Sequence, residues 1–186
     1  MLTNGGSIDL VASSPLSTVT KVYASSVAII GSFRQHYEQV LEAWQTFVAA
    51  GLIVTSPKGD PIVMPGIPFV RFTSDNEKHS DPMVQTIALH RIMSASFTYV
   101  VAPDGYVGRT TCYEIGRLLQ AGLPVYFSQI PEDLPLRVPP AHLASPAELV
   151  ARFIDEPAEA WHSTTEHLDD NGLLERDLLT GRFRDL

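Results

Sequence analysis

The chain has 186 residues, 45% apolar and 18% charged, a composition that supports one globular domain with a sizeable core and flanking tails. Its formal net charge of −8 argues against a nucleic acid polymer as partner, because backbone binding needs clustered Lys and Arg; it leaves room for one small anion held by a local arginine. The only cysteine, Cys112, makes no intrachain disulfide, and no apolar run follows a basic leader or reaches membrane-spanning length, so the expected setting is the reducing cytoplasm, away from any membrane.

Residues 1–20 are rich in Ser, Thr and Gly and read as a flexible tail. The β-rich run Val27–Ile30, ended by Gly31, is the first predicted strand. Tyr37, Val40, Leu41, Trp44, Phe47 and Val48 then recur at helical spacing until Gly51, and Leu52 to Val54 begin a second strand. Pro57 to Ser80 carries four prolines and two glycines, with a short strand predicted around Phe69 to Phe72. A structureless stretch of this length is either a lid or rim of a site or an insertion packed away from any ligand. Asp81-Pro82 reads as an N-cap followed by proline at the first helical position, and Met83, Val84, Ile87, Ile92 and Met93 supply that helix with a buried face.

Phe97 to Gln129 is the organising stretch. Phe97, Tyr99, Val100 and Val101 form a strand buried on both faces, and Pro103-Asp104-Gly105 ends it. Thr111 and Glu114 have capping-box spacing, Ile115, Leu118 and Leu119 make a core-facing stripe, and Gly122 closes the helix before a strand from Leu123 to Phe127. Four prolines between Pro131 and Pro140 mark an ordered turn region, and Ser145-Pro146-Ala147-Glu148 is a second capping box opening a helix. Residues 156–186 are acidic and helical in propensity, and either wrap the domain or dock on a neighbouring subunit; a homodimer or larger homo-oligomer is expected. The pattern predicts a flavodoxin- or Rossmann-like three-layer α/β domain over 21–155. Its parallel sheet would have four to five strands in the order 2-1-3-4, with helices on both faces. The site would lie at the switch point between strands one and three, where Gly31–Arg34 meets Asp104–Thr111.

Glu114 has two readings: a carboxylate that completes a helix cap, or a nucleophile facing the crevice above the sheet. Asp104 is either a turn residue of an Asp-Gly pair or a hydrogen-bonding and proton-transfer group beside Glu114. Gly31, Ser32, Phe33 and Arg34 form a candidate anion loop, against the alternative of a tight turn with a solvated arginine. Tyr106 either stacks on a base or anchors its loop, and Gly105, Gly108, Thr110 and Thr111 complete the predicted binding loop. His90 reads first as a half-buried, hydrogen-bonded histidine. His162 and His167 are five apart rather than four, so no metal pair is indicated. Cys112 reads as a small buried residue. Neither a GxGxxG nor a P-loop occurs, and no cofactor is expected.

The segment GYVGRTTCYEIGRLLQAGLPVYF resembles the catalytic segment of the nucleoside 2-deoxyribosyltransferase-like superfamily. GSFRQ after the first strand resembles the Gly-Ser-Ile-Arg loop of the deoxynucleoside 5′-monophosphate N-glycosidases within it. The resemblance covers roughly Val27 to Phe127, and Tyr113 to Gly116 is its most specific part. It implies a nucleoside or nucleotide substrate, with Glu114 as the nucleophile that attacks C1′ and Ser32, Arg34 and Thr110 holding the 5′-hydroxyl or 5′-phosphate. The family often carries an Asp on the helix before the third strand. Here Ala88 stands at that place, with Ser96 where a following Ala-Asp pair would have its Asp, and His90 is the nearby polar group able to do proton work. The departure points away from classical deoxyribosyl transfer and leaves open a divergent hydrolase or a non-catalytic nucleotide binder; a hydrolase of a larger nucleotide such as NAD is a further alternative.

Overall fold

Strand β1 (Ser26–Gly31) lies inside a four-stranded sheet, between β2 (Ile53–Ser56) and β3 (Phe97–Val101), and β4 (Val125–Phe127) pairs with the far side of β3. This computed structural model describes residues 24–59, 71–73 and 75–158. The tail 1–20, nearly all of the segment 156–186, and Phe69 and Val70 of the expected short strand lie outside the described residues. The three strand pairings are parallel and the order is β2-β1-β3-β4, the predicted arrangement. Val27 to Gly31 pair residue by residue with Phe97 to Val101. The β1–β2 ladder shifts register between Val27 and Ala28.

Among the described residues four helices cover the two faces: α1 (Tyr37–Ala49), α2 (Asp81–Met93), α3 (Arg109–Gln120) and α4 (Pro146–Asp155). Alternation along the strands assigns the faces, because successive strand side chains point to opposite sides. Val27, Ile29, Phe97, Tyr99 and Tyr126 pack with Val40, Ala43 and Phe47 of α1 and Leu149 and Phe153 of α4. Ala28, Ile30, Val100, Val125 and Phe127 pack with Ile92 of α2 and Ile115, Leu118 and Leu119 of α3. The domain is thus a three-layer α/β sandwich of Rossmann-like type. The connection from β1 runs outward to β2, whereas the later connections run the other way, so the chain reverses between β1 and β3 and opens a crevice there.

Helix starts differ from expectation in two places, each with a local cause. Ser80 rather than Asp81 is the N-cap of α2, because the Asp81 carboxylate is taken by Arg71, whose Nε donates to Oδ1 at 2.9 Å. Of its predicted face, Val84 and Ile92 are buried and Met93 packs against the core, whereas Met83 is 51% exposed. Helix α3 starts after Gly108, so Thr111 and Glu114 both lie inside it and no capping box forms between them. The Ser145 box at α4 does form: Ser145 N–H donates to Glu148 Oε2 at 2.7 Å and Glu148 N–H donates to Ser145 Oγ at 3.3 Å. No helix among the described residues is long and apolar enough to cross a membrane.

Candidate active site

A cavity of about 490 Å³ opens over the carboxyl ends of β1, β2 and β3 and is closed on one side by α2. That volume suits a ligand the size of a nucleotide. Gly31 lets the chain leave β1 in close contact with β3: a Cβ at this position would lie 2.7 Å from the Val101 carbonyl oxygen. Beyond it the chain turns tightly, with the Ser32 carbonyl accepting from Gln35 and His36 N–H at 3.0 and 2.8 Å. This turn brings Ser32, Phe33 and Arg34 into the wall. Phe33 meets Phe72 edge-on, with ring centroids 5.6 Å apart. Phe72 is held in turn by the Asp75 carboxylate on its N–H at 2.9 Å. Arg71 ties this short piece to α2 by donating to the His79 carbonyl at 2.8 Å and pairing with Asp81. Part of the proline-rich segment therefore forms the rim.

Glu114, in the second turn of α3, lines the cavity and is only 7% exposed. Gln85 of α2 donates from Nε2 to its Oε1 at 2.9 Å. Burial pushes the Glu114 carboxyl up to about 7, against the opposing pull of the Gln85 bond, which favours the ionised form. Near neutral pH the group is therefore divided between carboxylate and acid. A shift of this kind, on a carboxyl facing a cavity, is what general acids, bases and nucleophiles share.

Four cations, Arg34, Lys58, Arg91 and Arg109, line the same cavity, against the carboxylates of Glu114 and Asp75. The ion pair found among the described residues is Arg71 with Asp81, so none of these four pairs with a carboxylate among the described residues. The N-cap Gly108 contributes no side-chain bond, so the first-turn N–H groups of α3 at Arg109, Thr110 and Thr111 add uncapped donors beside Arg109. In a chain of net charge −8, this concentration of positive charge matches an anionic ligand.

Of the residues expected from sequence, Glu114, Gly31, Ser32, Phe33, Arg34, Tyr106, Gly108, Thr110 and Thr111 come together around the cavity. Three expectations are corrected. His90 is exposed and does not line the cavity, because it lies five residues after Gln85 and hence about 140° around α2. Asp104 is an exposed residue in a short 3₁₀ turn, Pro103–Gly105, at φ 53° and ψ 28°; it is the turn residue of its Asp-Gly pair. Gly105 serves the loop from behind. Its φ is +71°, its carbonyl accepts Glu132 N–H at 2.9 Å, and a Cβ there would lie 2.5 Å from Glu132 Cγ. Asp133 adds a carboxylate to Val107 N–H at 3.2 Å, so the loop carrying Tyr106 to Thr111 is braced by residues 132–133.

Sequence reasoning missed Gln85, Arg91, Lys58, Phe72 and Asp75, whereas Arg109 lies in the expected Asp104–Thr111 loop. A signal existed for the α2 residues: Gln85, Ala88 and Arg91 recur every third position, a polar and small stripe beside the apolar one. Ala88 does line the cavity, flanked on that helix face by Gln85 one turn earlier and Arg91 one turn later. The Cys112 thiol donates weakly to the Val107 carbonyl at 3.6 Å, and burial, with Asp133 nearby, pushes its pKa up rather than down. Among the described residues no cluster of three His, Cys, Asp or Glu is placed to hold a metal. Comparison of the chain with protein-family models, with curated proteins and with solved structures finds no match in any of the three.

Proposed function

We propose that this protein cleaves the N-glycosidic bond of a nucleoside or nucleotide, with Glu114 as the nucleophile at C1′. The observation that carries the reading is the buried Glu114 carboxylate in the wall of a nucleotide-sized cavity, with one oxygen engaged by Gln85 and the other without a hydrogen-bond partner among the described residues. In the first step a Glu114 oxygen bonds to C1′ while the C1′–N bond breaks. Its electron pair leaves with the base, which takes a proton from solvent. Water, or a nitrogen of a second base, then attacks C1′ and gives up its proton to solvent, while the C1′–O bond to Glu114 breaks and returns its electron pair to the carboxylate. Ser32, Arg34, Arg109 and the start of α3 hold the 5′ end of the ligand, and the paired rings of Phe33 and Phe72 offer an apolar wall to the base. The resemblance of Tyr113 to Gly116 and of Gly31 to Arg34 to the deoxyribosyltransferase-like superfamily points the same way.

The four cavity cations favour phosphorylated ligands whether or not the bond is broken, which keeps a nucleotide-sensing domain as the second reading. A base-release assay over nucleosides, 5′-monophosphates and NAD, run on the wild type and Glu114→Ala, separates the two. Release that disappears in the variant supports the glycosidase. A nucleotide that raises the melting temperature but survives intact would establish the sensor.

A further inference from the structure

We propose that Gln85 is a positioning residue for Glu114: its side-chain amide takes up Oε1 of the carboxylate and leaves Oε2 as the attacking oxygen. The inference rests on the glycosidase reading and adds to it the group that orients the nucleophile. Gln85 sits on the cavity face of α2, which Val84 and Ile92 anchor in the core, so the amide presents a fixed donor at 2.9 Å. Without that bond the buried carboxylate would have no hydrogen-bond partner among the described side chains, and neither oxygen would be distinguished.

The amide also suits the chemistry at each stage. Attack forms the C1′–Oε2 bond and breaks C1′–N, so Glu114 becomes an ester whose carbonyl oxygen, Oε1, still accepts from Nε2–H. When water attacks C1′ and gives up its proton to solvent, the C1′–Oε2 bond breaks and negative charge returns to the carboxylate, where the same donor meets it as it develops. A carboxylate at position 85 would instead repel Glu114 before attack and after release. The other charged groups facing the cavity are Arg34 from the loop after β1, Lys58 after β2, Asp75 on the rim, Arg91 on α2 and Arg109 on α3.

The test uses Gln85→Met, which keeps the length of the side chain and removes its donor. The titration of the Glu114 carboxyl is followed by carbon-13 NMR, assigned by its loss in Glu114→Gln, together with the pH profile of kcat/KM. The expected results are a titration midpoint about one pH unit higher or more, the same displacement of the rising limb of the rate profile, and kcat lower by roughly 10- to 100-fold with little change in KM. An unmoved midpoint and an unchanged kcat, with Glu114 still essential for base release, would overturn the proposal and leave the glycosidase reading standing. A displaced midpoint with no substrate cleaved by the wild type supports the tie between the side chains and overturns the glycosidase reading instead. Gln85→Glu gives an independent arm: two carboxyls sharing a proton should titrate in two steps, and a single step at the wild-type midpoint would refute the contact.

Discussion

Replacing Glu114 by Gln separates what burial costs from what catalysis needs. The amide preserves the size of the side chain and an oxygen able to accept from Gln85, but it never ionises. In the wild type, burial pushes the carboxyl up to about 7 in the folded protein, against its ordinary value of 4.5. Between those two values the folded state holds more protons than the unfolded state, so stability falls as pH rises. At about 1.36 kcal/mol per pH unit, the loss from this one group is roughly 3 kcal/mol once the pH exceeds 7. Glu114→Gln removes it. The variant should match the wild type within about 1 kcal/mol near pH 4.5 and exceed it by up to about 3 kcal/mol at pH 8. Urea unfolding of both proteins at pH 4.5, 6, 7 and 8 reads this directly, because the difference between the two curves cancels every other titrating group. The same variant should release no base, whereas wild-type kcat/KM on an unphosphorylated nucleoside should rise with pH through about 7, since the nucleophile is the ionised form. A stability difference that stays constant with pH, or a wild type that gains stability over the variant as pH rises, would refute the buried, unpaired carboxylate.

Arg34→Ala should weaken 5′-phosphorylated ligands by about 1.5–3 kcal/mol more than the matching nucleosides, the worth of a charge-assisted bond; titration calorimetry on each pair checks it, and equal losses would remove Arg34 from the phosphate. His90→Ala should leave kcat, KM and the pH profile as in the wild type, because the imidazole lies on the exposed side of α2. A lost limb of the profile would return it to the mechanism. Ser145→Ala should lower stability by about 1 kcal/mol in urea unfolding with base release unchanged, since it removes the cap of a helix on the opposite face of the sheet.

The sequence by itself determined the order of elements and the sheet. Buried strands announce themselves as short apolar runs, and Val27–Ile30 and Phe97–Val101 have no helical spacing to confuse them. Once the alternation of strands and helices is read, handedness and packing leave few topologies, and the switch point follows from the strand order. Local signals were reliable where both partners are neighbours in sequence, as in the Ser145–Glu148 box. They failed where a distant partner intervened. Arg71 drew Asp81 away from the cap of α2, and α3 began after Gly108, carrying Glu114 into a buried second turn where Gln85, 29 residues away, meets it. The loop residues followed the same division. Asp104 and Gly105 look like site residues beside Tyr106, yet Glu132 and Asp133 hold that end of the loop from the other side. Which side chains share the cavity is a matter of rotation about a helix axis and of contacts between segments remote in the chain. Tertiary packing alone decides those, and it set Gln85, Arg91 and Arg109 around Glu114 while leaving His90 on the outer surface.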